Sequence, residues 1–115
     1  MDQTAEKVQK PYYVYMMRCE DGSLYAGITT DLQRRFKEHT RQDKSGRGAR
    51  YTALRRPIGY AAAWSSAGRA EASRLEYRIK KLTHGQKLTL IAGNSEPPFD
   101  MAEYTRVNIN EKGEL

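Results

Sequence analysis

Apolar and polar positions along residues 12–28 fall into two strand-like runs, YYVYMMR and SLYAGI, separated by Glu20-Asp21-Gly22. That pattern predicts an antiparallel hairpin. From Asp31 the period lengthens. Leu32 and Phe36 stand four apart behind Thr30 or Asp31 as a cap, which predicts a helix over 31–42. IGYAAAWS, at 58–65, returns to a strand pattern and is left through Ser65-Ser66-Ala67-Gly68. Ala72, Leu75, Ile79 and Leu82 then repeat at helical spacing, predicting a helix over 69–82, and Thr83 can cap a further short helix through Ile91. The order β-β-α-β-α-α describes an α+β domain, a three-stranded antiparallel sheet covered by helices. The domain is expected over 12–92, after a flexible N-terminus at 1–11. Residues 93–115, with paired prolines and little periodicity, read as an acidic, irregular or disordered tail.

The hairpin register decides which tyrosines share a face. A two-residue turn at Asp21-Gly22 would set Tyr25 opposite Arg18, on the other face from Tyr15. A three-residue loop with Gly22 in the left-handed conformation sets Tyr25 opposite Met17 and Tyr15 opposite Gly27. Tyr13, Tyr15 and Tyr25 then lie on one face. The glycine in the third loop position favours this second register.

Charge adds a partner class. The net charge is +6, and residues 34–57 hold nine bases against two acids, whereas residues 93–115 hold five acids against two bases. Such a focus is the footprint expected for a phosphate backbone, with Arg34, Lys37, Arg41, Lys44, Arg47, Arg50, Arg55 and Arg56 as phosphate contacts. Tyr51, inside the basic loop, can stack on an unpaired base or pack locally. A solvated charged surface is the competing reading. The single cysteine, Cys19, cannot form an internal disulfide, which fits a reducing, cytoplasmic setting. No apolar run approaches the roughly 18 residues of a membrane span, and from the polar start no signal peptide is expected. One domain is expected at this length, with a monomer as the expected state.

Candidate chemistry lies on the helices. Leu32, Arg35 and His39 follow i, i+3, i+7, so Arg35 and His39 border the buried stripe of the first helix. Glu76 adjoins Leu75 at the edge of the second stripe. An Arg35 to Glu76 salt bridge is one structural reading of these positions.

Together the residues carry a resemblance. Tyr13-Val14-Tyr15, Tyr25-Ala26-Gly27 ten residues after Tyr15, Arg35, His39 and Glu76 on a later helix resemble the GIY-YIG nuclease superfamily over residues 12–91. The runs YAGITTDLQRRFKEH and LEYRIKKLTHGQK look like its small single-domain, YhbQ-like bacterial group. They are also similar to the nuclease domains of UvrC and the Slx-type nucleases. The first motif reads YVY in place of GIY, and Ile28 stands where some repair members carry a lysine.

The resemblance implies hydrolysis of DNA phosphodiesters with one divalent cation, magnesium or manganese, in repair or recombination. Carried over by position, Tyr25 or Tyr15 would orient or deprotonate the attacking water, Arg35 would bind the scissile phosphate, Glu76 would hold the metal and His39 would assist proton transfer or orient a tyrosine. The chemistry suits these residue types. An arginine and a cation can neutralise the phosphate, and a hard cation can take one carboxylate plus water and substrate oxygens. A DNA-binding module with a vestigial or very weak nuclease site is the alternative.

Overall fold

The computed structural model describes residues 11–40 and 56–115. Strands β1 (Tyr12–Cys19), β2 (Leu24–Thr29) and β3 (Pro57–Ser66) form an antiparallel sheet with β1 in the centre. Helix α1 (Leu32–Thr40) follows β2, and α2 (Arg69–Lys80) and α3 (His84–Ala92) follow β3. A short fourth strand, β4 (Thr105–Arg106), extends the sheet in the order β2-β1-β3-β4. The sheet therefore has four strands where three were expected. The extra strand comes from the stretch that lacks periodicity, since two residues are too few to show one.

The hairpin adopts the three-residue loop. Gly22 has φ 84°, its N–H donates to the Cys19 carbonyl at 2.9 Å, and the Cys19 N–H donates to the Ser23 carbonyl at 3.0 Å. Tyr15 consequently faces Gly27, and Met17 faces Tyr25. One sheet face, with Val14, Met16, Ala26, Ala62 and Trp64, is covered by Ala72, Leu75 and Ile79 of α2 and by Leu90 of α3. The opposite face, with Tyr15, Met17, Tyr60 and Ala63, receives Leu32 and Phe36 of α1. Trp64 is thus core.

Local signals set the helix ends. Asp31 caps α1, its carboxylate accepting from the Arg34 N–H at 3.0 Å. Thr83 caps α3 in a reciprocal pair of bonds with Gln86. Among the described residues no helix is long and apolar enough to cross a membrane.

The segment after Gly93 holds little regular structure beyond β4 and lies against the domain. Phe99, Met101 and Tyr104 pack on the α2 face of the sheet, while Val107 and Ile109 pack on the α1 face. The guanidinium of Arg106 sits 5.4 Å from the Trp64 ring centroid and donates to the Ile91 carbonyl at 3.0 Å.

Candidate active site

The chain brings four candidate residues together on the α1 face. β1 supplies Tyr15, β2 supplies Tyr25, and successive turns of α1 supply Arg35 and His39. Tyr15 is fully buried, with its hydroxyl shared by the two α1 residues. Arg35 Nε donates to it at 3.2 Å, and His39 Nε2 lies 3.3 Å away. The Tyr25 ring stands edge-on to both Tyr15 and His39, at centroid distances of 6.2 and 5.0 Å. Tyr25 and Arg35 remain partly open to solvent. The buried members hold the ring system in place, and the accessible members face outward.

Gly27 permits this arrangement by steric absence. A Cβ there would stand 2.5 Å from the Tyr15 hydroxyl oxygen and 2.7 Å from Cζ. Any side chain would therefore displace the ring that anchors Arg35 and His39.

Electrostatics separates the two tyrosines. Burial, reinforced by Tyr25, pushes the Tyr15 phenol far above its ordinary value, against the opposing pull of Arg35. Tyr15 stays a neutral hydroxyl at any physiological pH, which suits an orienting role better than a base. His39 moves the other way. Burial and the neighbouring Arg35 charge lower it to about 4, only partly offset by Glu38, so its ring is neutral near pH 7. Its Nδ1 has no hydrogen-bond partner among the described residues. Nε2 is the polar atom through which the ring is held.

Arg35 is partly desolvated, yet its bonds to Tyr15 and Glu38 keep it firmly protonated. Its Nη1 donates to Glu38 Oε1 at 3.1 Å. These bonds use Nε and Nη1 of the guanidinium.

Glu76 lies on α2, the helix that covers the other sheet face, and its Oε2 is 3.0 Å from Lys80 Nζ. The described ion pairs join Arg35 to Glu38 and Glu76 to Lys80, and none joins Arg35 to Glu76. Among the described residues no group of three or more His, Cys, Asp or Glu gathers to form a metal cage. A partly exposed single carboxylate fits a hard cation that takes its remaining oxygens from water and a substrate phosphate. The Lys80 contact would have to open for it.

Arg34, Lys37 and Arg56 are exposed, with loose 3.9 Å contacts from Arg34 to Glu38 and from Arg56 to Glu20. Arg41, Lys44, Arg47, Arg50, Tyr51 and Arg55 lie outside the described residues.

Tyr60 belongs to the site although its sequence pattern gives no hint of it. Between Met16 and Met17 the β1–β3 register shifts, pairing Met16 with Ala62 and Met17 with Tyr60, so Ala61 is extra. This bulge turns Tyr60 onto the face opposite that of Ala62. Its ring meets Tyr15 at 5.2 Å, and its hydroxyl donates to the Leu32 carbonyl at 2.8 Å. A bulge inside Tyr60-Ala61-Ala62-Ala63 leaves no trace, because three alanines fit either face.

Comparison with known proteins bears on the same stretch. A UPF0213 protein of Nitratidesulfovibrio vulgaris is 44% identical over 86 residues, covering 75% of this chain and 74% of the relative. UPF0213 protein BH0048 of Halalkalibacterium halodurans is 42% identical over 86 residues, covering 75% and 87%. The solution NMR structure of BH0048 aligns at 41% identity over 76% of this chain and 88% of that one, with a TM-score of 0.46. The GIY-YIG catalytic domain model matches residues 11–89, a span that includes both tyrosine motifs, Arg35, His39 and Glu76. With this match across more than half of its length, and with these small single-domain relatives, the chain belongs to the GIY-YIG family.

Proposed function

We propose that the chain is a divalent-metal-dependent endonuclease acting on DNA phosphodiesters, with a role in repair or recombination. The observation that carries this reading is the shared Tyr15 hydroxyl, which fixes Arg35 and His39 beside a partly exposed Tyr25. In this reading Arg35 binds a non-bridging oxygen of the scissile phosphate through its partly exposed guanidinium, stabilising charge as it develops. Tyr25, in its phenolate form, orients the attacking water and takes its proton as the water oxygen bonds to phosphorus. The leaving oxygen takes a proton from solvent water as its bond to phosphorus breaks. Tyr15, neutral and buried, acts by positioning Arg35 and His39. Glu76 would hold one magnesium or manganese ion, which supplies Lewis acidity at the phosphate. Arg34, Lys37 and Arg56 would bind flanking phosphates.

The test is cleavage of labelled single-stranded, duplex and branched DNA at low salt, with magnesium, manganese or chelator. Tyr25→Phe should lower kcat by about 10²- to 10⁴-fold, the usual range for losing a general base. Glu76→Ala should abolish metal-dependent turnover without unfolding the protein. Metal-dependent cleavage surviving in both folded variants would refute the assignment.

The ion pair that Glu76 makes with Lys80 favours one competing reading, a DNA-binding module with a vestigial or very weak site. That module would bind with a log-log salt slope of roughly −0.9 per phosphate contact and would show no turnover whichever metal is added.

A further inference from the structure

The family match ends at residue 89, yet a later stretch of the chain reaches the tyrosine cluster. After β4 the Val107 N–H donates to the Ala63 carbonyl at 2.9 Å, and the Glu111 carbonyl accepts from the Tyr60 N–H at 2.8 Å. Val107 and Ile109 pack against the cluster that contains Tyr15 and Tyr60. The strap passes so close that a Cβ on Gly59 would meet Glu111 Cβ at 2.8 Å.

Its closing turn is organised by one exposed side chain. Asn110 Oδ1 accepts from the N–H groups of Lys112 and Glu114 at 2.9 and 3.0 Å, and its Nδ2 donates to Glu114 Oε1 at 2.8 Å. The turn presents Gly113, buried and at φ 86°, to the site. A Cβ on Gly113 would stand 2.8 Å from Tyr60 Cε2 and 2.9 Å from the Leu32 carbonyl oxygen.

Tyr60 is the link. Strap, β1 and α1 all converge on it, through its backbone N–H, its ring against Tyr15 and its hydroxyl on Leu32. Leu32 opens the helix that carries Arg35 and His39.

We propose that residues 105–114 are a positioning element of the tyrosine–arginine–histidine centre, with Asn110 and Gly113 acting through Tyr60 to fix the Tyr15 ring and the first turn of α1. The effect on rate rests on the nuclease reading; the effect on geometry does not. Loosening one side of Tyr60 gives Tyr15 room to move, and small misplacements of reacting groups cost rate disproportionately.

The test uses the full chain with Asn110→Ala, Gly113→Ala and, as control, Lys112→Ala, whose side chain makes none of these bonds. Asn110→Ala opens the turn from its solvent side, so it reads the site even if Gly113→Ala folds poorly. The expected result in the first two variants is a kcat lowered about 10- to 100-fold at nearly constant KM. The His39 ring, followed by NMR, should titrate closer to the ordinary 6.5 than to the parent's value of about 4. An unchanged kcat per folded molecule together with an unchanged His39 titration, even with a lowered Tm, would reduce the strap to simple cover and overturn the proposal. If the parent cleaves nothing, the nuclease reading falls and the His39 titration alone decides the positioning role.

Discussion

His39 shows how a single residue couples site and stability. Its ring lies 2% exposed between Tyr15, Tyr25 and Arg35, and its pKa falls from 6.5 to about 4 on folding. The unfolded chain therefore binds this proton first. The stabilising contribution is complete above pH 6.5 and is lost as pH falls towards 4, on the order of 3 kcal/mol in all. Melting curves across that window should show this loss, and His39→Gln should flatten it. Equal acid sensitivity in both proteins would mean that another group controls the transition. The placement of Tyr15 and Tyr25 on one sheet face, and of Arg35 and His39 along the inner stripe of α1, was legible from spacing. Their unequal exposure was not, because no spacing encodes burial.

At the scale of elements, the hairpin and α1 form one device. The left-handed Gly22 sets a register that places Gly27 under Tyr15. The two outer turns of α1 then meet the Tyr15 hydroxyl from one side. Gly27→Ala should force the ring aside and cost about 1–3 kcal/mol, the usual range for overpacking a buried site. On the nuclease reading proposed above, it should also lower cleavage with binding of DNA retained, since the exposed basic residues are untouched. Chemical denaturation paired with kinetics checks both, and parent-like values of both would show that the strand can shift without cost. The hairpin register was readable because a glycine in the third loop position selects one turn. The β3 bulge was not, since alanine neighbours disguise a reversal of faces.

For the whole molecule, the segment after Gly93 closes both layers. It contributes β4, covers the α2 face with Phe99, Met101 and Tyr104, and covers the α1 face with Val107 and Ile109. Arg74 and Glu103 add a 3.2 Å surface pair, which contributes little by itself. Ending the chain after Gly93 should cost on the order of 5 kcal/mol, about 1 kcal/mol for each of five half-buried apolar side chains. A Tm and a denaturant midpoint equal to those of the full chain would show that this packing contributes nothing to stability. The acidic composition and paired prolines made the segment look detached. Its sparse apolar residues have no local period because each contacts the sheet at a separate place.

Local pattern by itself determined the order of the first three strands and the helices, the hairpin register and the residues that spell the family motif. Each of these depends on neighbours a few positions apart, so periodicity, capping and loop length suffice. Only the tertiary structure decided that Tyr15 is buried and Tyr25 accessible, that Tyr60 joins them and that Glu76 pairs with Lys80 instead of Arg35. It also decided that a strap ending in Gly113 leans on the site. Those outcomes depend on contacts between segments distant in sequence, where the space left by one chain segment sets the environment of another.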